Sequence, residues 1–269
     1  MKKEVDSTAN GVDQYASSAI RIAPLLDRQF LSIGTVTIEA LKPQLGEHIL
    51  DIGCGSGQTL SQLAKQVGPS GVVTGIDIST SLVSFAKKYN TKSLPIRLVC
   101  ADAQTVALPT NTADAAFSRF GVMGFKDPKV AFSNIARMLR PGGRLAFCCW
   151  RTFEENEIDY LPVVVAGLEA RVRRKPYSFS KAGFIRRLLE INCFKDIKIS
   201  AHDMAVSCGD LDDTIEVILS VGALGQIVRN ENSLRETVEP KLRSALKSRF
   251  NLQHVELNAA VWIVTARAT

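Results

Sequence analysis

The chain has 269 residues, of which 46% are hydrophobic and 22% charged, and its formal net charge is +6. This composition is that of an ordinary globular protein with a sizeable core, so we expect one large α/β domain or a core with a modest cap. No stretch approaches the roughly 20 uninterrupted apolar residues that a membrane span needs. Residues 1–6 lack the apolar run of a signal peptide. These observations predict a cytoplasmic protein.

Cysteine content and local charge disfavour two further classes of function. None of the six cysteines forms a C-x-x-C pair, which favours reduced core thiols over a zinc site or a disulfide framework, and we predict no metal. Seven Lys or Arg residues and no acidic residue lie between Arg171 and Arg187. This stretch is either a solvated basic face or a rim that attracts an anionic substrate. Nothing in the chain resembles an aromatic-interleaved nucleic-acid module.

From the N-terminus, residues 12–45 are predicted to form a helical lid. From about 48 to 150, short apolar runs alternate with segments of helical periodicity. The predicted strands are 48–53, 72–77, 96–101, 113–118 and 144–150. The predicted helices are 56–67, 80–89 with Ser79 as N-cap, and 128–139. This alternation predicts a parallel sheet with helices on both faces.

The pattern changes after Trp150. Residues 151–192 and 209–250 are predicted to be helical cap segments, and 194–201 and 258–266 to be the last two strands. Together with the core at 46–150, these segments predict a Rossmann-like, mostly parallel, seven-stranded sheet with an added helical cap. The chain shows no internal repeat or low-complexity linker. We therefore assign 1–269 to a single domain.

The most informative segment is Asp51-Ile52-Gly53-Cys54-Gly55-Ser56-Gly57. A predicted strand leads into three alternate glycines and a predicted helix leads out, at the strand end where open α/β sheets bind nucleotides. Glycines allow a tight turn and let a ligand approach the backbone closely. The dinucleotide fingerprint G-x-G-x-x-G would need a glycine where Gln58 or Leu60 stands, and no Gly-Lys-Ser/Thr follows. Dehydrogenase and phosphate-loop motifs are therefore absent.

The pattern that remains resembles the first motif of class I S-adenosylmethionine-dependent methyltransferases. Four later features extend the resemblance over about 100 residues in the family's order. They are Asp77 at the end of the second strand, 99–104 followed by Leu108-Pro109, 113–123, and 139–145. Two segments, 118–123 and 149–151, are similar to the ubiquinone-biosynthesis-type and related small-molecule methyltransferases.

The resemblance implies binding of S-adenosyl-L-methionine, with S-adenosyl-L-homocysteine as product. It implies that Asp77 binds both ribose hydroxyls and that Asp102 accepts from the adenine amino group. Ala103 would offer its backbone N–H, and Ile78 would lie against the adenine ring. The loop after the fourth strand would pass beside the methionine part. The residues expected to bind the cofactor are Asp51, Gly53, Cys54, Gly55, Gly57, Asp77, Ile78, Asp102, Ala103, Ser118 and Arg119.

The implied reaction moves a methyl group by in-line displacement to a C, O or N atom of an aromatic or anionic small molecule. Alignment of the reactants alone can supply roughly 7–11 kcal/mol, so no catalytic dyad is required and none is visible. A general base is needed only when the acceptor must lose a proton early. Candidate catalytic groups are Tyr15, His202 and His254. Tyr15, Met123 and Trp150 are expected to contact the acceptor, which would bind under the lid and the 151–192 helices.

Three alternatives stay open. An RNA methyltransferase would suit the positive charge, but the chain carries no appended RNA-binding domain and no Asn/Asp-Pro-Pro-Tyr/Phe tetrapeptide. A non-catalytic protein that kept the fold and the cofactor is a second alternative. A dehydrogenase is the third, and it would require binding of a nicotinamide dinucleotide. The sequence allows either a monomer or a homodimer.

Overall fold

The computed structural model describes residues 7–89, 94–251 and 254–269. Backbone contacts divide the chain into two compact units. The sheet unit comprises Leu31–Asn156, Arg174–Met204 and Ala259–Thr269. The helical unit comprises Met1–Phe30, Glu157–Arg173 and Ala205–Asn258. Residues 1–6, on which the signal-peptide prediction rests, lie outside the described residues, and the single-domain assignment stays a prediction.

Nine strands are described in the three ranges given above. They are β1 (His48–Ile52), β2 (Val72–Asp77), β3 (Ile96–Cys100), β4 (Ala113–Arg119), β5 (Leu139–Trp150), β6 (Phe194–Val206), β7 (Phe250–Asn251), β8 (His254–Val255) and β9 (Leu257–Ala268). Seven form one sheet in the order β3-β2-β1-β4-β5-β9-β6, and β7 pairs with β8. Strands β1 to β5 pair in parallel and β9 runs antiparallel to β5. The predicted fold, a mostly parallel, seven-stranded Rossmann-like sheet, is confirmed.

Two strand boundaries differ from the sequence prediction. β5 begins at Leu139 rather than at Arg144, because Leu139 already pairs with Ala113 before the register shifts at Ala115. Gly142, at a φ of +77°, lies within this irregular stretch. β6 continues beyond the predicted end at position 201 to Val206. Pairing with a neighbouring strand extended both elements past the turn signals that the sequence carries.

The helices of the described ranges follow the same chain order. They are α1 (Ser7–Arg21), α2 (Ala23–Gln29), α3 (Leu31–Leu41), α4 (Gln58–Val67), α5 (Thr80–Tyr89), α6 (Pro128–Met138), α7 (Glu157–Ala166), α8 (Ala182–Glu190), α9 (Leu211–Ser220), α10 (Gly222–Asn230) and α11 (Leu234–Leu246). The predicted N-cap Ser79 is confirmed, since its Oγ accepts from the backbone N–H of Leu82 at 3.3 Å. Pro128 occupies the first turn of α6 as predicted, behind the N-cap Asp127.

Each unit has its own apolar core. In the sheet unit, α3 and α4 contribute Leu41 and Leu60, which pack with Ile49 and Phe117 of the central strands. In the helical unit, Ile22 packs with Cys208 and with residues of α9. Near-continuous burial along β1 and β4 is typical of parallel strands that are covered on both faces. Within the ranges that the structure describes, no helix combines the length and apolar character needed to cross a bilayer.

Candidate functional site

The predicted cofactor residues gather at one edge of the sheet. Asp51 lies near the end of β1, Asp77 ends β2, and Arg119 ends β4. Because the carboxyl ends of parallel strands meet at the same edge, these side chains come from one region of the sheet unit. Asp102 follows β3 by two residues and extends the same edge. Sequence spacing therefore predicted the location of the candidate site.

The loop after β1 is pressed against the turn after β4. A Cβ built on Gly121 would lie 2.5 Å from the carbonyl oxygen of Ile52 and 2.9 Å from Cα of Gly53. Gly53 itself has a φ of +70°, a conformation that L side chains rarely adopt. The hydroxyl of Ser118 donates to the same Ile52 carbonyl at 2.7 Å. Gly53 and Gly121 are both needed because two backbones meet there without room for a side chain.

Cys54 lies inside this loop and is buried. Burial raises the pKa of its thiol far above the ordinary value, and the nearby carboxylates of Asp51 and Asp77 raise it further. A thiol in this environment stays protonated and is a poor nucleophile. Its backbone N–H donates to the carbonyl of Ile76 at 3.1 Å. Cys54 is therefore a packing residue of the loop rather than a reactive group.

Asp77 presents a carboxylate that the local backbone holds in place. Its Oδ2 accepts from the N–H of Gly55 and its Oδ1 accepts from the N–H of Ser79, each at 2.9 Å. Burial raises the pKa of Asp77, and the backbone hydrogen bonds partly oppose that rise. A carboxylate has about four lone-pair sites, so two backbone donors leave capacity for further donors. The residue joins the ends of β2 and of the glycine loop.

Asp51 has a different environment, although it lies one strand away. Its side chain is fully buried, and Oδ2 accepts from the Thr59 hydroxyl at 2.6 Å. Among the described residues, no group donates a hydrogen bond to Oδ1. Burial raises the pKa of Asp51 to about 7, against the lowering effects of the Thr59 hydroxyl and the charge of Arg119. A buried acceptor without a donor is costly and is suited to a polar ligand.

The segment after β3 forms a compact turn. Asp102 accepts from both the backbone N–H and the side-chain Nε2 of Gln104, at 2.9 Å and 2.7 Å. The carbonyl of Ala103 accepts from Asn134 of α6 at 3.0 Å. Ile78, which follows β2, is 59% exposed. An exposed isoleucine directly after Asp77 offers an apolar face next to a hydrogen-bond acceptor.

The turn after β4 carries an aromatic stack. Phe120 has a left-handed backbone, with φ of 64°, and its ring stacks on Trp150 with centroids 4.0 Å apart. The backbone N–H of Trp150 donates to the Met123 sulfur at 3.3 Å. Arg119, immediately before Phe120, donates to Gln58 of α4. The predicted acceptor contacts Met123 and Trp150 thus lie together at the ends of β4 and β5.

The other predicted residues lie elsewhere in the chain. Tyr15 belongs to α1 of the helical unit, is 44% exposed, and has its ring centroid 5.9 Å from the Arg229 guanidinium carbon. His254 is an exposed residue of β8, also in the helical unit. His202 lies on β6, the strand at the opposite end of the sheet order from β3. In the sheet unit, β5 and β9 separate His202 from β4.

Sequence reasoning missed three residues that organise this edge. Thr59 fixes one oxygen of Asp51, Gln104 fixes both oxygens of Asp102, and Gly121 admits the glycine loop. Thr59 is the second residue of α4, where a threonine gives no sign of a carboxylate partner. Gly121 stands within the segment that carries the family resemblance, but its close approach to Ile52 depends on the pairing of β1 with β4.

The fold is that of α/β enzymes, a class that binds nucleotide-type cofactors at the carboxyl edge of the sheet. Residues 50–147 match the family model of the methyltransferase domain. Aklanonic acid methyltransferase from Streptomyces sp. strain C5 is 31% identical over 162 residues, which cover 59% of this chain and 73% of that relative. A 2-phytyl-1,4-naphtoquinone methyltransferase from Nostoc punctiforme is 33% identical and covers 47% of this chain and 60% of its own length.

A solved structure agrees with the fold. Haemonchus contortus phosphoethanolamine N-methyltransferase 2 in complex with S-adenosyl-L-methionine aligns with a TM-score of 0.59 at 17% identity, covering 99% of this chain and 59% of that one. This chain belongs to the class I S-adenosylmethionine-dependent methyltransferases, and S-adenosyl-L-methionine is its methyl donor. Both of these curated relatives are named as methyltransferases of small molecules.

The residues at the carboxyl edge fit this cofactor. The orphaned Oδ1 of Asp51 and the backbone-held carboxylate of Asp77 supply negative charge and free acceptor capacity for a ligand that carries a sulfonium, an ammonium and hydroxyl groups. A Cβ built on Gly55 would meet nothing within 4 Å, so the loop backbone is open there. The edge therefore has the charge and the open backbone that a cationic nucleoside requires.

Proposed function

We propose that this methyltransferase transfers a methyl group to an aromatic small molecule that presents a hydroxyl group, and that three aspartates bind its cofactor. The observation that carries the cofactor assignment is Asp77, whose two oxygens are fixed by the N–H groups of Gly55 and Ser79. A carboxylate held in this way retains acceptor capacity for two ribose hydroxyls. Asp102 accepts from the adenine amino group, and the N–H of Ala103 donates to the ring. Ile78 covers one face of the adenine.

The remaining cofactor residues act on the methionine end. When bound, S-adenosyl-L-methionine supplies an electrophilic methyl group on a sulfonium. Asp51 accepts from its ammonium group, directly or through a water, at the Oδ1 atom that lacks a protein donor. Gly53, Cys54, Gly55 and Gly57 bring the loop backbone close enough to enclose that end. Ser118 and Arg119 fix the neighbouring loop through Ile52 and Gln58.

The aromatic stack at the ends of β4 and β5 supports the choice of an aromatic acceptor. Phe120 and Trp150 stack at 4.0 Å, and Met123 packs against the Trp150 backbone. Flat apolar side chains orient a ring by stacking and exclude water from the reacting atoms. The names of the two relatives, which act on aklanonic acid and a naphthoquinone, also favour acceptors of this kind.

The identity of a general base is a separate proposal. An acceptor hydroxyl must lose its proton as the methyl group arrives, so a nearby base would raise kcat. Tyr15, His202 and His254 stay candidates, and we expect the substitutions Tyr15→Phe, His202→Gln and His254→Gln to separate them. A drop of tenfold or more in kcat with unchanged cofactor affinity would identify the base. If all three variants keep the kcat of the parent protein, catalysis is assigned to positioning of the reactants alone.

Location and oligomeric state are further predictions. We propose a cytoplasmic protein that acts as a monomer or a homodimer. Sedimentation of the full chain distinguishes the two assemblies, and cell fractionation tests the location. Recovery in the membrane or secreted fraction would contradict the proposed location.

Calorimetric titration with S-adenosyl-L-methionine, S-adenosyl-L-homocysteine and NAD tests the cofactor assignment. We expect micromolar binding of the two sulfur compounds and none of NAD. A panel of phenols and hydroquinones, with matched methyl ethers as controls, then tests the acceptor, and transfer is read as a mass increase of one methylene. Cofactor binding without transfer to any of these compounds would contradict the proposed acceptor and favour the non-catalytic alternative. Saturable NAD binding would overturn the cofactor assignment itself.

A further inference from the structure

The helical unit contains an open surface depression, lined by polar residues, to which the proposed function assigns no ligand. Its volume is about 450 Å³. We call it the Arg229 pocket. It is lined by Gln14, Ser17, Ser18, Arg229 and Asn232. These five residues bring one positive charge and no carboxylate.

One wall of the Arg229 pocket follows from the periodicity of α1. Gln14, Ser17 and Ser18 stand at positions i, i+3 and i+4, so their side chains share one face of the helix. Ala16 and Ala19 are buried instead. The opposite wall comes from the last turn of α10, which carries Arg229, and from Asn232 just beyond it. All of these groups can donate hydrogen bonds.

Arg229 is half-buried, and its contacts leave most of its donors free. Its Nη1 donates to the carbonyl of Ser220, the last residue of α9, and its guanidinium lies by the Tyr15 ring. Among the described residues, no carboxylate forms an ion pair with Arg229, and no group accepts from its Nε or Nη2. Burial lowers the pKa of Arg229 from its ordinary value. A partly desolvated cation is costly without a counter-charge.

The nearby acidic side chains already have partners. Glu231, two residues from Arg229 along the chain, pairs with Arg171 at 2.9 Å. Glu216 pairs with both Arg21 and Arg235. Among the described residues Arg229 has no such counter-charge, whereas Arg21, Arg171 and Arg235 of the same unit are each paired with a glutamate. The Tyr15 ring restricts the orientation of the guanidinium.

We propose that the Arg229 pocket binds an oxyanion, a carboxylate or phosphate group carried by a small molecule. Nε and Nη2 of Arg229 form a planar pair of donors, which matches two oxygens of such a group. The hydroxyl of Ser18 and the amides of Gln14 and Asn232 supply further donors around it. This site goes beyond the proposed methyl transfer and stands independently of it.

The test is an NMR titration of the isotope-labelled full chain in a chloride buffer without the methyl donor. The probes are 4-hydroxybenzoate and inorganic phosphate, and neutral 4-hydroxybenzamide is the control. We expect saturable shifts of the backbone amides of Ser17, Ser18 and Asn232 with at least one oxyanion, and none with the amide. If only 4-hydroxybenzoate causes shifts, the ligand is a carboxylate. If only inorganic phosphate causes shifts, the ligand is a phosphate.

Three variants test whether Arg229 is responsible for oxyanion binding in the pocket. Arg229→Gln should weaken binding at least tenfold, but it also removes the bond to Ser220 and could disturb the fold. Asn232→Asp avoids that problem, because it is isosteric, leaves the Arg229–Ser220 bond in place and puts a negative charge in the pocket. It should also weaken binding at least tenfold. Gln66→Glu, at an exposed position of α4, makes the same change of net charge in the sheet unit and should change affinity less than twofold.

Equal binding of 4-hydroxybenzoate and 4-hydroxybenzamide would overturn the proposal, as would unchanged affinity in Asn232→Asp. Absence of any saturable shift at the three amides would also overturn it. None of these outcomes bears on the cofactor assignment, which calorimetry tests with a different ligand. Conversely, failure to bind S-adenosyl-L-methionine would leave the titration of the Arg229 pocket fully interpretable.

Discussion

Strands β1 and β2 are neighbours, and each carries an aspartate towards its carboxyl end, but the two carboxylates differ in exposure and in hydrogen-bond partners. Asp51 of β1 is fully buried, has one hydroxyl donor, and keeps an oxygen without a donor among the described residues. Asp77 of β2 is partly exposed, and backbone N–H groups hold both of its oxygens. The same residue type at the same edge can therefore be either buried with an unsatisfied oxygen or partly exposed with both oxygens bonded.

The surroundings of the two strand ends explain the difference. β1 lies between β2 and β4, and its loop is closed by the turn that contains Gly121. β2 ends beside the open position of Gly55, whose N–H turns towards Asp77. Central strands lose access to solvent first, because neighbouring strands and loops cover them on both sides. Four substitutions test how far the two ends depend on these contacts.

The largest effect is expected at the closed end. Gly121→Ala would place a Cβ 2.5 Å from the Ile52 carbonyl oxygen, where backbone atoms cannot move aside easily. We expect the free energy of unfolding to fall by about 3 kcal/mol, measured by chemical denaturation. Gly124→Ala in the same turn is the matched control, because its Cβ would meet nothing within 4 Å. An equal loss of unfolding free energy in the two variants would show that the close approach of Gly121 to Ile52 does not determine stability.

The next effect concerns the open end. Asp77→Ala removes charge-assisted hydrogen bonds of roughly 1.5–3 kcal/mol, so S-adenosyl-L-methionine and S-adenosyl-L-homocysteine should bind about tenfold to a hundredfold more weakly by calorimetry. Asp77→Asn, which keeps the shape of the side chain, should retain part of the affinity. Unchanged affinity in Asp77→Ala would mean that the ribose binds elsewhere.

The raised pKa of Asp51 should make the free energy of unfolding depend on pH. Burial raises its pKa from 3.8 to about 7, so between these values the folded protein keeps a proton that the unfolded chain has released. Stability therefore falls as pH rises through this window. Asp51→Asn removes that loss, and its stability relative to the parent protein should increase by on the order of 2 kcal/mol from pH 5 to pH 7. Denaturation curves at both pH values measure this, and a constant difference would contradict the burial effect.

The smallest effect is expected from the hydroxyl that supports Asp51. Thr59→Val removes the donor to Oδ2 without changing the size of the side chain, and should cost about 1 kcal/mol of unfolding free energy at pH 8. The loss should shrink at pH 5, where Asp51 is protonated. Thr37→Val is the control, since the buried Thr37 hydroxyl donates to the carbonyl of Ile33 and not to a carboxylate. A pH-dependent loss in the control would weaken the interpretation.

Local chemistry made much of the sheet unit predictable. Alternating apolar runs and helical periodicity placed β1 to β4 and α4 to α6 within a few residues, because strand and helix periods are properties of short segments. Capping by Ser79 and Pro128 followed the same logic. The start of β5 was not predictable from its own residues, since it depends on pairing of Leu139 with Ala113.

By itself the sequence determined the succession of strands and turns along the chain, the glycine loop, and the positions of Asp77 and Asp102 at strand ends. Only the tertiary structure decided that Asp51 loses all contact with solvent, that Gly121 must admit the backbone of Ile52, and that Arg229 faces a pocket without a carboxylate. The physical reason is the distance along the chain over which each kind of interaction acts. Turn and helix signals act over a few residues, whereas burial, close backbone approach and charge compensation depend on segments brought together from distant parts of the chain.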